Sequence, residues 1–304
     1  MRYIFTRSIV LLATAWIAVS AVFFLIRLVP GDAVSARLQD GQMSPEQVQL
    51  QREALGLSKP IVEQYVIYFL NLAAGDMGIS TTFNFPVSTL IAQHIRWTIE
   101  LTVASLLLAV LFGPILGILC DDKRLFVAMP ARLLMWTSIS SPVYMSAILL
   151  VFVLSTLLDL LPATGIGSFR HLIMPTLVLV YHTSGPIARV TQSSIRLIGT
   201  QMHVVAAHGR GLKTTYVNRN YVLRIALPST VTVIALQTGF LLSGTLVIEA
   251  VFARPGLGGL MLTAVIQRDY PLLQSLTLLS SITYAFLIIV SDLVQILLDP
   301  RITR

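Results

Sequence analysis

The apolar residues of this chain run in long unbroken stretches. Six of them, 9–29, 98–120, 133–158, 172–187, 231–251 and 273–297, are dominated by Leu, Ile, Val, Ala and Phe. A helix needs about 20 apolar residues to cross a hydrocarbon core about 30 Å thick, so the pattern predicts six membrane-spanning helices. The fourth run is the most polar, diluted by Pro175, His182, Ser184 and Pro186. Between the first and second runs, 30–97 reads as a small extracytoplasmic helical module. There Ser44, Pro45, Glu46 and Gln47 form a capping-box pattern with Pro at the first helical position. That helix is expected to start at Pro45 and stop near Gly56. A second begins at Pro60, carries Ile61, Tyr65, Tyr68 and Phe69, and breaks at Gly75 and Asp76. The module either packs on the tops of the spans or presents a docking surface, and the two are compatible.

Composition places the chain in the membrane class. It is 55% hydrophobic and only 12% charged, with a mean hydropathy of +0.81, values that a water-exposed surface does not supply. Charge then orients it. With both termini in the cytosol, the inner segments hold thirteen of the 21 basic residues against three acids, Asp121, Asp122 and Asp299, and the outer segments hold seven basic and eight acidic residues. This asymmetry has the sign of the positive-inside rule. Arg27 falls at the outer end of the first span, where it is expected to snorkel. Arg2 and Arg7 before an apolar run also suit a cleaved signal peptide, but the run to Val29 exceeds the ~7–15-residue core of such a peptide. A retained first helix is the expectation. The lone Cys120 has no internal disulfide partner.

The segment 202–228 stands out as a cytoplasmic handle. From Arg189 to Arg224 there are six basic residues (Arg189, Arg196, Arg210, Lys213, Arg219, Arg224) and no acid. Small residues, Ala206 and Ala207, allow close approach to a partner groove. Gly211 permits a backbone reversal that a residue with a Cβ resists. A basic interfacial segment resting on anionic headgroups has the same composition.

Several blocks, in order, carry a family resemblance. They are Phe24 to Asp32; Leu55, Gly56 and Leu57 with Pro60, Gln64 and Tyr65; Gly75 to Ser80, a GDxGxS turn; Leu161 to Gly165; His171 to Pro175; Val247 to Gly258; Arg268 to Pro271; and Leu298 to Arg301. Together they resemble the permease subunits of the dipeptide, oligopeptide and nickel class of bacterial ATP-binding-cassette (ABC) importers, in particular the first of two paired permeases. The resemblance implies an all-α integral membrane fold with six transmembrane helices of the type I ABC importer kind. Its division is a first helix (1–29), the extracytoplasmic module (30–97), a five-helix core (98–297) containing a cytoplasmic coupling loop (196–228), and a tail (298–304). The coupling positions fall on Val205, Ala206, Ala207, Gly211 and Leu212, with a second helix ending at Leu227 and Pro228. Val205 stands where the family often has Glu, and His208 with Gly209 replaces a basic-Ala pair. The first departure weakens the case for a specific salt bridge to an ATPase, and the second loosens the helix by about 1 kcal/mol.

Enzymatic chemistry finds no motif. Gly209 to Thr214 has suggestive letters but not the G-x-x-x-x-G-K-S/T spacing of a phosphate loop, and neither H-E-x-x-H nor G-x-S-x-G occurs. An intramembrane hydrolase and an ATP-independent channel or carrier are therefore the weaker alternatives. Polar residues in spans are the path candidates. Glu100 is expected to cap an outer helix end or touch cargo, Glu249 to bond the Phe252 to Gly258 turn or line the path, and Asp292 to pair with a basic loop residue. His182 is a packing histidine or a path residue, with no metal ligands assigned. Gly239, Ser243 and Gly244 suit close helix contact across the pore to a partner permease. The resemblance implies a bacterial inner-membrane location and a homologous second permease as heterodimer partner. It also implies two cytoplasmic ATPases that bind ATP and Mg, an extracytoplasmic binding protein and membrane lipid, with no cofactor of this chain's own and no nucleic acid. For cargo, the short 161–175 connection leans toward nickel or a metal chelate, with dipeptides or oligopeptides as the alternative.

Overall fold

The computed structural model describes residues 2–28 and 58–298, with positions 46, 49, 50 and 53. Among the described residues these α-helices follow in order: α1 (Arg2–Leu28), α2 (Ile61–Ala73), α3 (Val87–Cys120), α4 (Leu125–Ser140), α5 (Val143–Val151), α6 (Arg170–Gly199), α7 (Met202–Gly209), α8 (Thr214–Val217), α9 (Arg224–Val251), α10 (Leu257–Ile266) and α11 (Tyr270–Leu298). Two π-helical turns, Phe152–Leu157 and Asn218–Leu223, extend α5 and join α8 to α9. No strand occurs among the described residues. Ser44, Pro45 and Gln47 of the capping box, the stop at Gly56, the blocks through Pro30 to Asp32 and Leu55 to Leu57, and residues 299–304 lie outside the described residues.

The six predicted spans fall on α1, α3, the α4–α5 pair, α6, α9 and α11. The third, expected as one span over 133–158, is a broken helix pair. It breaks between Ser140 and Val143, and its two halves are bent by 115°. Pro142 supplies the cause: it has no N–H for the ladder, and it pushes the preceding Ser141 into an extended conformation (ψ 142°). α6 is long but polar, and its polar side chains are covered by protein: His182, Thr183, Ser184, Thr191 and Gln192 are all buried.

The chain divides into two compact units, Met1–Trp97 with Pro255–Ala285 and Thr98–Arg254 with Phe286–Arg304. In the first, α2 begins after Pro60 as predicted and lays its aromatic face on α1. Phe23 is fully buried, edge-on to Tyr65 (centroids 5.2 Å) and close to Tyr68 (5.8 Å). Arg27 does not snorkel into water: its guanidinium lies 3.5 Å over the Phe23 ring, and its Nε donates to Gln64 Oε1 at 2.9 Å. Burial pushes the Tyr68 phenol up to about 12, with nearby Arg27 opposing the shift.

Two distant motifs of this unit meet at one carboxylate. Asp269 is fully buried and accepts from Ser80 Oγ (2.5 Å), Thr82 N (3.0 Å) and Leu272 N (3.2 Å). It thereby caps the start of α11 and fixes the turn after Gly78, whose φ of +78° needs glycine.

In the second unit α6 is the central helix, packed against α4, α5 and α9. Small residues set its crossings: a Cβ on Gly117 would stand 2.6 Å from Thr191 Cβ and 2.7 Å from the Ala188 carbonyl, and one on Gly185 would fall on Ser138 Oγ. Hydroxyl pairs bolt α6 to α9, Thr191 to Thr230 (3.1 Å) and Ser194 to Ser229 (2.8 Å). α3 exposes Ile99, Val103, Leu107, Leu111 and Phe112, the surface that a hydrocarbon solvent requires.

Candidate functional site

The handle folds into a short helix on a small apolar base. Val204 and Ala207 of α7 are buried with Ile198, Val217, Val222 and Ala226, and Leu212 packs beside them. The helix ends in a complete Schellman motif: Leu212 N bonds the Ala207 carbonyl (3.3 Å) and Gly211 N the His208 carbonyl (2.9 Å). Gly211 takes φ +78°, the left-handed conformation that this cap demands. Sequence reasoning located both features, the short helix and the glycine.

It misassigned the faces. Ala207 points into the base, whereas Met202, Val205, Ala206 and Gly209 are exposed. Those four have the i, i+3, i+4, i+7 spacing of a single helical stripe, so Met202 was legible from spacing and was missed. Leu227 and Pro228 do not end a helix. Both lie inside α9, which runs on to Val251. The missing N–H of Pro228 costs one ladder bond, and the π-helical turn at Asn218–Leu223 lies directly upstream, where an irregular ladder is already established.

Around this end of the second unit a second network ties three helices together. The Cys120 carbonyl at the end of α3 accepts from Gln192 Nε2 of α6 and Arg132 Nε of α4, both at 2.8 Å. Arg196 pairs with Asp121 at 2.8 Å. A guanidinium at a helix C-terminus also complements the macrodipole. Gln192 and Arg132 had no signal in the sequence, because their acceptor is a backbone atom.

Several path candidates have partners within the second unit. Glu100 does not cap an outer helix end, since α3 begins thirteen residues earlier at Val87; instead its carboxylate faces the buried Arg254 Nη2 at 3.3 Å. Glu249 is fully buried and accepts from Thr98 Oγ1 at 2.6 Å, while its backbone carbonyl receives Arg254 N. The Phe252 carbonyl accepts from Gly165 N at 2.9 Å, joining two of the sequence blocks. His182 is buried and its Nε2 lies 2.9 Å from Ser146 Oγ. Gly244 lies close to α6 of its own chain: a Cβ there would stand 3.3 Å from Leu179. The side chains of Ser243 and Asp292 lie outside those described. Among the described residues no three of His, Cys, Asp and Glu come close enough to hold a metal ion.

An all-helical chain with these long apolar helices, a central polar helix and a compact handle between two of them is a multi-pass membrane permease. The chain belongs to the family described as "Binding-protein-dependent transport system inner membrane component", which its residues 113–304 match; residues 1–101 match "Binding-prot-dependent transport system membrane comp, N-term". It is 35% identical over 306 residues to the glutathione transport system permease protein GsiC of Escherichia coli strain K12, covering 99% of both chains. The GsiC protein of Salmonella paratyphi A is 36% identical over the same length. Among solved structures, the inward-facing MetNI methionine ABC transporter matches with a TM-score of 0.58 at 16% identity, covering 69% of this chain and 97% of that one. An amino acid ABC transporter with histidines matches at TM-score 0.54 and 13% identity, covering 70% and 94%. The fold is that of the type I ABC importer permeases.

Proposed function

We propose that this chain is a permease subunit of an ATP-driven importer for short peptides, with glutathione, a tripeptide, as the first cargo to test. The observation that carries the importer reading is the exposed stripe Met202, Val205, Ala206 and Gly209 on a helix locked from behind by Val204, Ala207 and the Gly211 cap. Such a face is small, apolar and rigid, which suits insertion into a cleft of a cytoplasmic ATPase. Two such ATPases supply ATP and Mg chemistry that this chain does not. A homologous second permease completes the path, and an extracytoplasmic binding protein delivers the cargo. Both termini then lie in the cytosol, in keeping with the charge asymmetry.

Full-length similarity to glutathione permeases supports the peptide alternative over nickel, and the short 161–175 connection is too slight a feature to outweigh it. The test is uptake into vesicles holding the complete complex and its binding protein. ATP-dependent accumulation of glutathione or a short peptide, lost when the ATPases are omitted, is the expected result. Accumulation of nickel in preference to any peptide overturns the cargo, and uptake without ATPases overturns the importer.

A further inference from the structure

Arg189 is exposed on α6, and among the described residues no carboxylate lies within ion-pair distance of it. Its recorded neighbour is Trp136 of α4, with the guanidinium carbon 5.3 Å from the ring centroid. The ring is itself about half exposed. Two other arginines of this region have acceptors, Arg132 on the Cys120 carbonyl and Arg196 on Asp121. Arg189 carries a positive charge with only a ring beneath it.

Its depth follows from its neighbours. Gln192, three residues on, bonds the Cys120 carbonyl, where the apolar run of α3 gives way to Asp121 and Asp122. Three residues of helix rise about 4.5 Å, so Arg189 sits just on the membrane side of that boundary. Tryptophan at this level is an interfacial residue, apolar in body and polar at one edge. The surrounding face of α4 is apolar and exposed at Met129, Leu133 and Leu134.

We infer that Arg189 and Trp136 form a binding site for the phosphate of an anionic phospholipid of the inner leaflet. The guanidinium takes two phosphate oxygens in its planar fork, the Trp136 ring holds the guanidinium plane, and the acyl chains lie on the apolar face of α4. A homologous partner permease is the poorer occupant. The positive-inside rule makes its inner rim basic as well, so it offers cations where Arg189 needs an anion, whereas the inner leaflet offers phosphates.

The test uses the assembled complex, purified in mild detergent and read by native mass spectrometry for bound lipid, then reconstituted in bilayers of phosphatidylglycerol or phosphatidylcholine. Retained phosphatidylglycerol is expected to fall about five-fold in Arg189→Gln and to fall less in Trp136→Ala. Arg189→Lys keeps much of it, and a large excess of inorganic phosphate does not displace the lipid. Equal retention in Arg189→Gln and the parent overturns the site. Displacement by inorganic phosphate alone reassigns it to the free ion, and loss of the second permease with lipid unchanged reassigns it to the permease pair. A raised KM for cargo with lipid unchanged makes Arg189 a path residue, and that also overturns the proposal.

Discussion

The turn held by Asp269 and the helix α7 are opposite ways of using a polar-to-apolar boundary. At Asp269 every group is occupied: one buried carboxylate accepts from a hydroxyl 189 residues away and from two backbone amides. At α7 the inward face is saturated by the apolar base, but the outward face leaves Met202, Val205 and Ala206 exposed among the described residues. The first region is closed by its own contacts, and the second is complete only with something laid on it. Stability belongs to the one, and coupling is the role proposed for the other.

That contrast breaks most sharply at Asp269. Asp269→Ala leaves three donors without their acceptor in a buried site, and loss of about 3 kcal/mol or more is expected. The check is the melting midpoint of the purified complex, and a midpoint within about 2 °C of the parent would contradict a structural role. Next comes the pair Ala206 and Ala207, neighbours with opposite faces. Ala206→Glu is expected to cut transport at least about ten-fold, or about 1.4 kcal/mol of binding, with the melting midpoint unchanged. Ala207→Glu instead buries a charge in the apolar base and lowers the midpoint. If the two variants behave alike, the assignment of faces fails.

Smaller effects sharpen the edges. Gly211→Ala forces a Cβ into φ +78° and is expected to cost about 1 kcal/mol, with transport reduced in proportion to the loosened cap. Arg196→Gln removes an ion pair whose arginine is about half exposed, so screening limits its contribution to at most about 1 kcal/mol. A larger drop in the melting midpoint would show that the pair holds α3 to α6 more firmly than its exposure allows.

What the sequence made legible was local. Apolar run length, the Pro60 start of α2 and the left-handed glycine at 211 each depend on a few adjacent residues, and each is found in the fold. What it hid was pairing across the chain. Glu100 read as a helix cap because its partner Arg254 is 154 residues away. The approach of α6 to Gly244 was hidden as well, because a small residue does not say which helix comes near it. The run 133–158 read as one span because apolar content alone records neither a lost ladder bond nor a 115° bend. At the handle, composition announced a docking surface, but only the alternation of buried and exposed positions tells Ala206 from Ala207.

The π-helical turn at Asn218–Leu223 holds one more residue per hydrogen-bonded ring than the α-helix it feeds. It is therefore a reserve of chain length between the handle and α9. Removal of one residue at its exposed positions lets the wide turn tighten toward ordinary α geometry, with Val217 and Val222 taking up the change in the base they share with Val204 and Ala207. The same deletion one turn later, inside the regular ladder of α9, rotates every side chain beyond it by about 100°.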